Sequence, residues 1–153
     1  MSMNSDHGNF QLRSFYWLST RSRPTLQVAL EFDLVSTRIP PQELNLLAMR
    51  VVETIRRLNQ EVNSKRIDIR PISRAKEMGL MEVRWNYQVN SRNLIVRLFL
   101  VEDKEGQIRV GIRLFNKHVQ PDLQGTNRLQ DLAIDDAIRI FTENRDAKRL
   151  EIV

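Results

Sequence analysis

Residues 93–115, "NLIVRLFLVEDKEGQIRVGIRLF", predict two β-strands joined by a turn, because apolar residues recur at every second position on both sides of "EDKEGQ". One face of this hairpin is purely apolar and carries Leu94, Val96, Leu98, Leu100, Ile108, Val110, Ile112 and Leu114. The alternate positions mix arginine with apolar and aromatic residues: Ile95, Arg97, Phe99, Val101, Arg109, Gly111, Arg113 and Phe115. The hairpin therefore predicts an antiparallel sheet with a core face and a second face of different chemistry.

Other segments predict the elements around this hairpin. Alternating patterns favour strands at 25–35 and 80–89, and short strands are also predicted at 12–20, where the pattern is not clean, at 66–72 and at 148–153. Apolar residues three and four apart favour an amphipathic helix over 39–63 and a second helix over 129–144. The remaining segments are predicted as a basic connector at 73–79 and a loop at 116–127.

This order of elements predicts the α+β class. We expect a mostly antiparallel sheet of about five to six strands, with the two amphipathic helices packed on one face and the other face open. A length of 153 residues suits one domain, and the polar start of the chain predicts a mobile tail over 1–9 followed by a single domain over 10–153.

The charge of the chain is positive and unevenly distributed. The formal net charge is +5, and 19 of the 24 basic residues are arginine. Residues 38–113 carry a net charge of +6, whereas residues 114–153 carry −1. Arginine forms forked contacts with phosphate and carboxylate groups and stacks on aromatic rings, so its excess points to an anionic partner or to an interface rich in ion pairs.

The open sheet face is the main functional prediction. Its candidate binding residues are Arg70, Arg84, Arg97, Arg109, Arg113, Phe99 and Phe115, and the basic connector region extends them with Lys65, Arg66 and Arg74. Arginines interleaved with aromatics on a sheet bind single-stranded nucleic acid, where stacking contributes ~1–3 kcal/mol per base. The favoured prediction is a non-enzymatic binding module whose partner is anionic, with nucleic acid ahead of other partners.

The same residues fit a second class of protein. Arginine and aromatic side chains are enriched at protein–protein interfaces, so the face also suits a self-assembling structural or adaptor protein, such as a viral matrix protein or a complex scaffold. In that case the chain forms a homo-oligomer or binds a protein partner, and its charge serves an anionic membrane surface or a ribonucleoprotein. A third interpretation is a solvated, ion-paired face, since Glu31, Asp33, Asp68 and Glu82 fall on it by the same alternation.

Enzymatic motifs are scarce. The chain has no cysteine, no P-loop and no G-x-G-x-x-G, and its histidines are His7 and His118. We therefore predict no cofactor and no metal, and keep a metal-dependent nuclease using Glu31, Asp33 or Asp136 as a minor alternative. Asp136 lies within the apolar stripe of the second helix, where pairing with an arginine is the favoured interpretation.

Location follows from two further patterns. The N-terminus lacks the basic and apolar regions of a signal peptide, and apolar runs stop well short of the ~20 residues of a membrane span. We expect a cytoplasmic or otherwise intracellular protein without a transmembrane segment.

Overall fold

The computed structural model describes residues 14–60, 68–89, 92–103, 108–116, 123–144 and 149–152. Its six strands are β1 (Ser14–Ser19), β2 (Asp68–Pro71), β3 (Leu80–Val89), β4 (Arg92–Asp103), β5 (Ile108–Asn116) and β6 (Arg149–Ile152). Its α-helices are α1 (Leu26–Asp33), α2 (Pro41–Gln60) and α3 (Leu123–Glu143), with 3₁₀ turns at Val35–Thr37 and Ser73–Met78. The predicted tail over 1–9 lies outside the described residues.

The strands form one sheet in the order β2-β3-β4-β5-β1-β6. All neighbours are antiparallel except β1 and β5, which run parallel. The predicted α+β class, the mostly antiparallel sheet and the hairpin of β4 and β5 are therefore confirmed. None of the helices in the described part of the chain is long and apolar enough to cross a membrane.

The segment 25–35 is helical, so its prediction as a strand was wrong. Leu26, Ala29 and Leu30 are buried, a spacing that a helix brings to one side. The hydroxyl of Thr25 accepts a hydrogen bond from the Val28 N–H at 3.2 Å and caps the first turn. The apolar residues of this segment fit the two-residue period of a strand as well as the 3.6-residue period of a helix, and the N-cap directly after Pro24 favours the helix.

Both faces of the sheet are covered, which corrects the predicted placement of the helices. On the α2 face, which includes Val83, Leu98, Leu100 and Leu114, the sheet packs against α1 and α2. On the α3 face, which includes Leu80, Phe99, Val101 and Ile112, it packs against α3 and the second 3₁₀ turn. The hairpin carries apolar residues on both of its faces, so burying both removes more apolar surface from water than two helices on one face would.

A bulge in β5 changes which residues share a face. Leu100 pairs with Gly111 and Phe99 pairs with Arg113, so Ile112 is the extra residue on the β5 side. The even-numbered residues of β5 therefore change faces across the bulge. Val110 and Ile112 face α3, whereas Leu114 faces α2. Gly111 is required here because a Cβ atom would lie only 2.8 Å from the Trp17 ring.

The predicted loop over 116–127 is also partly wrong, since Asn116 ends β5 and α3 begins at Leu123. The predicted connector at 73–79 forms a 3₁₀ turn over Ser73–Met78. The helix predicted over 39–63 is confirmed as α2 over Pro41–Gln60, with 61–63 outside the described residues, and the short strands at both ends of the chain are confirmed as β1 and β6.

Candidate interaction site at the edge of the sheet

The arginines predicted to line an open face are paired within the fold. Arg97 has 1% of its surface exposed and Glu82 has 4%, and Arg97 Nη1 lies 3.1 Å from Glu82 Oε1. Arg84 Nε donates to the same carboxylate oxygen. This cluster belongs to the interior of the protein, where a charge needs a partner of opposite sign.

The two aromatic residues are similarly occupied. Phe99 is completely buried beneath α3, and its ring stacks on that of Phe115 with 6.5 Å between centroids. Phe99 is therefore not available to stack on a nucleotide base, and Phe115 is half-buried.

The remaining candidate residues are scattered. Arg109 lies on the α2 face, where its Nε is 2.9 Å from Glu102 Oε2. Arg74 Nη2 lies 2.7 Å from Asp135 Oδ1 and joins the second 3₁₀ turn to α3. Arg70 is exposed on the edge strand β2, and Lys65 and Arg66 lie outside the described residues.

The prediction of one open arginine face is wrong, because carboxylates at neighbouring positions pair with its arginines and α3 covers its apolar part.

Arg113 belongs to a second ionic group, which we call the edge cluster: Arg23, Asp33, Arg113 and Asp136. Arg23 donates to both carboxylate oxygens of Asp33 at 2.7–3.1 Å. Arg113 Nε lies 2.9 Å from Asp136 Oδ2 and 3.7 Å from Asp33 Oδ1. Arg23 Nη2 also lies 3.5 Å from Asp136 Oδ2. The cluster therefore links α1, on one side of the sheet, to α3 on the other.

The edge cluster lies where β5 extends beyond its pairing with β1. The pairing of β1 with β5 ends at Trp17 and Gly111, and the N–H of Leu114 further along β5 donates to Asp33 Oδ2 at 3.0 Å. The turn after β1 is fixed by the Arg23 carbonyl, which accepts from Trp17 Nε1 at 3.0 Å. The side chains of Arg23 and Asp33 are 6% and 1% exposed, so the centre of the cluster is buried.

Burial and neighbouring charges have opposite effects on the pKa of Arg113 in the edge cluster. Burial lowers the pKa of Arg113, and the carboxylates of Asp33 and Asp136 oppose this shift. The exposed Arg139 donates to Asp136 and Glu143, and the hydrogen bond to Asp136 raises the Arg139 pKa. The predicted pairing of Asp136 with an arginine is thus confirmed.

Asp33 and Asp136, two residues of the nuclease hypothesis, both contact Arg23 and Arg113. Both carboxylates are paired with arginine in this arrangement, which does not suit them as ligands of a cation. Glu31 is exposed on α1. No group of three histidine or acidic residues able to hold a metal occurs in the part of the chain that is described.

Large exposed apolar residues lie on the two helices that carry Asp33 and Asp136. The Phe32 ring, 53% exposed, lies under the Arg23 guanidinium with 4.8 Å between Cζ and the ring centroid. Leu132 is 59% exposed and precedes Asp136 by one helical turn, and Leu129 lies on the same flank of α3. We call Phe32, Leu129 and Leu132, together with the edge cluster, the edge surface.

A second exposed apolar pair lies elsewhere. Leu46 and Met49 are 50% and 67% exposed on α2. Their positions along the helix place them opposite the buried stripe of Leu44, Leu47 and Val51.

Comparison with known proteins gives no assignment: no protein-family model, no curated protein and no solved structure matches this chain.

Proposed function

We propose that this protein is a non-enzymatic structural or adaptor module that assembles with further copies of itself. The observation that carries this proposal is the exposure of Phe32, Leu129 and Leu132 on its helices. Exposed apolar residues that group into a patch are typical of protein interaction sites. An intracellular location is part of the same proposal.

The ion pairs of the sheet support assembly over nucleic-acid binding. Arg84, Arg97, Arg109 and Arg113 each lie close to a carboxylate of the same chain. A phosphate group would have to displace those carboxylates, and the side chains of Glu82 and of Asp33, which also lies close to Arg113, are buried. These four arginines thus have a role in holding the fold together, and the exposed apolar residues offer a surface for binding.

Self-assembly predicts a mass that rises with protein concentration. We expect light scattering to give a mass above that of the 18.0 kDa chain at high concentration and a smaller mass after dilution. Because apolar contacts drive the association, it should persist at high salt, where interactions between exposed charges are screened. A strict monomer at all concentrations and both salt levels contradicts the proposal.

Nucleic-acid binding is a second proposal, which rests on the net charge of +5. Several exposed arginines could contribute on different elements: Arg21, Arg38, Arg50, Arg128 and Arg149. Such binding would be weak and insensitive to sequence, because dispersed charges contact phosphates without reading bases.

Fluorescence anisotropy with labelled single-stranded and duplex oligonucleotides tests this second proposal. We expect the affinity to fall with salt, each phosphate contact steepening the slope of log K against log salt by roughly 0.7 to 0.9. The variant Arg128→Gln should make the dependence of log K on log salt slightly less steep, whereas Arg128→Lys keeps the positive charge and serves as the matched control. Absence of binding at low salt would contradict this proposal.

A further inference from the structure

We infer that the edge surface is the contact through which two copies of this chain pair around a twofold axis. This inference rests on the proposed self-assembly and specifies its surface and symmetry.

Contacts through the buried Arg23, together with helical spacing on α3, connect the residues of the edge surface. The Phe32 ring contacts Arg23, and Arg23 in turn lies 3.5 Å from Asp136. Leu132 is one helical turn from Asp136 on the same side of α3. Two elements from opposite sides of the sheet therefore contribute apolar residues on either side of one ionic centre.

The charge of this surface favours a second copy as its partner. Arg23 and Arg113 of the edge cluster are matched by Asp33 and Asp136, so the formal charges of the cluster sum to zero although the whole chain carries +5. A nucleic acid or an anionic membrane binds surfaces of positive potential, which a balanced cluster does not supply. Two copies of a neutral surface approach each other without net repulsion there.

The arrangement also suits twofold symmetry. In an interface between identical surfaces, residue i of one copy contacts residue j of the other and the reverse contact is made as well. An axis through the ionic centre brings Phe32 of each copy to the Leu129 and Leu132 side of the other. The exposed Arg139 and Glu143 lie beside this contact, where they can exchange ion pairs between copies.

Sedimentation equilibrium with matched variants tests the inference. Leu132→Asp places a charge in the contact and should weaken dimerisation at least roughly thirtyfold, the effect of losing an interface hot spot. Phe32→Ser should weaken it as well, since the axis pairs the two residues. Met49→Asp introduces the same charge on the α2 pair and should leave the dissociation constant unchanged. Circular dichroism verifies that each variant is folded.

Cysteine cross-linking tests the geometry, since the natural chain contains no cysteine. Mixed Phe32→Cys and Leu132→Cys proteins should form a disulfide-linked heterodimer under mild oxidation, whereas Phe32→Cys mixed with Met49→Cys should not.

The possible outcomes distinguish a failure of the twofold contact from a failure of self-assembly itself. Dimerisation that is lost in Met49→Asp and kept in Leu132→Asp overturns the edge surface as the contact and leaves self-assembly standing. Oligomers that grow beyond a dimer overturn the closed twofold pair alone. A wild-type monomer overturns self-assembly together with this inference.

Discussion

Replacing Arg97 by methionine is expected to lower the free energy of unfolding by about 3 kcal/mol or more, because it leaves the Glu82 carboxylate buried without its deepest partner. Arg84 still contacts Glu82, so the loss should lie near the lower end of the range for broken buried pairs. Urea unfolding followed by circular dichroism measures the change.

The double variant Arg97→Met with Glu82→Leu is the matched control. It removes both charges and should recover most of the lost stability, since apolar replacement of a whole buried pair is often neutral. If Arg97→Met kept full stability and instead weakened oligonucleotide binding, Arg97 would belong to a nucleic-acid site on the sheet.

Replacing Asp33 by alanine is expected to destabilise the protein by about 3 to 5 kcal/mol. The change removes the acceptor of Arg23 and of the Leu114 N–H, both within the buried part of the edge cluster. Asp33→Asn should cost less, because an amide oxygen can still accept from Leu114. Thermal and urea unfolding of the two variants give the comparison.

Glu31→Ala is the control for this series. Glu31 is exposed on the same helix, and such substitutions stay within about 0.5 kcal/mol. An Asp33→Ala variant as stable as Glu31→Ala would contradict a structural role for the edge cluster.

The sequence predicts an element correctly where its apolar residues fit the period of a strand or that of a helix but not both. The alternation in β3, β4 and β5 fits only strands over such lengths, and the stripe of Leu44, Leu47 and Val51 fits only a helix. Over 25–35 both periods fit, and a single hydrogen bond of the Thr25 hydroxyl marks the helix. The sequence contains this capping residue as the threonine after Pro24, but the alternation of apolar residues that follows it favours a strand.

The site was less predictable because it depends on long-range pairing. The bulge at Ile112 reverses the alternation within β5, and the apolar pattern of the chain gives no sign of it. The pairing of Asp136 with arginine could be anticipated from its place in the helix. The contact of Arg23 with Asp33 could not be anticipated, because the alternation over 25–35 indicates a strand for Asp33 and because the contact depends on the turn between β1 and α1.

The hydrogen bond from Leu114 to Asp33 has a consequence for strand register. A shift of β1 toward Leu114 would bring its residues beside the part of β5 that follows the bulge at Ile112. Such a shift would move backbone into the space held by Asp33 and would separate that carboxylate from both Arg23 and the Leu114 N–H. One buried aspartate side chain thus limits how far the parallel pair can extend beyond Trp17 and Gly111.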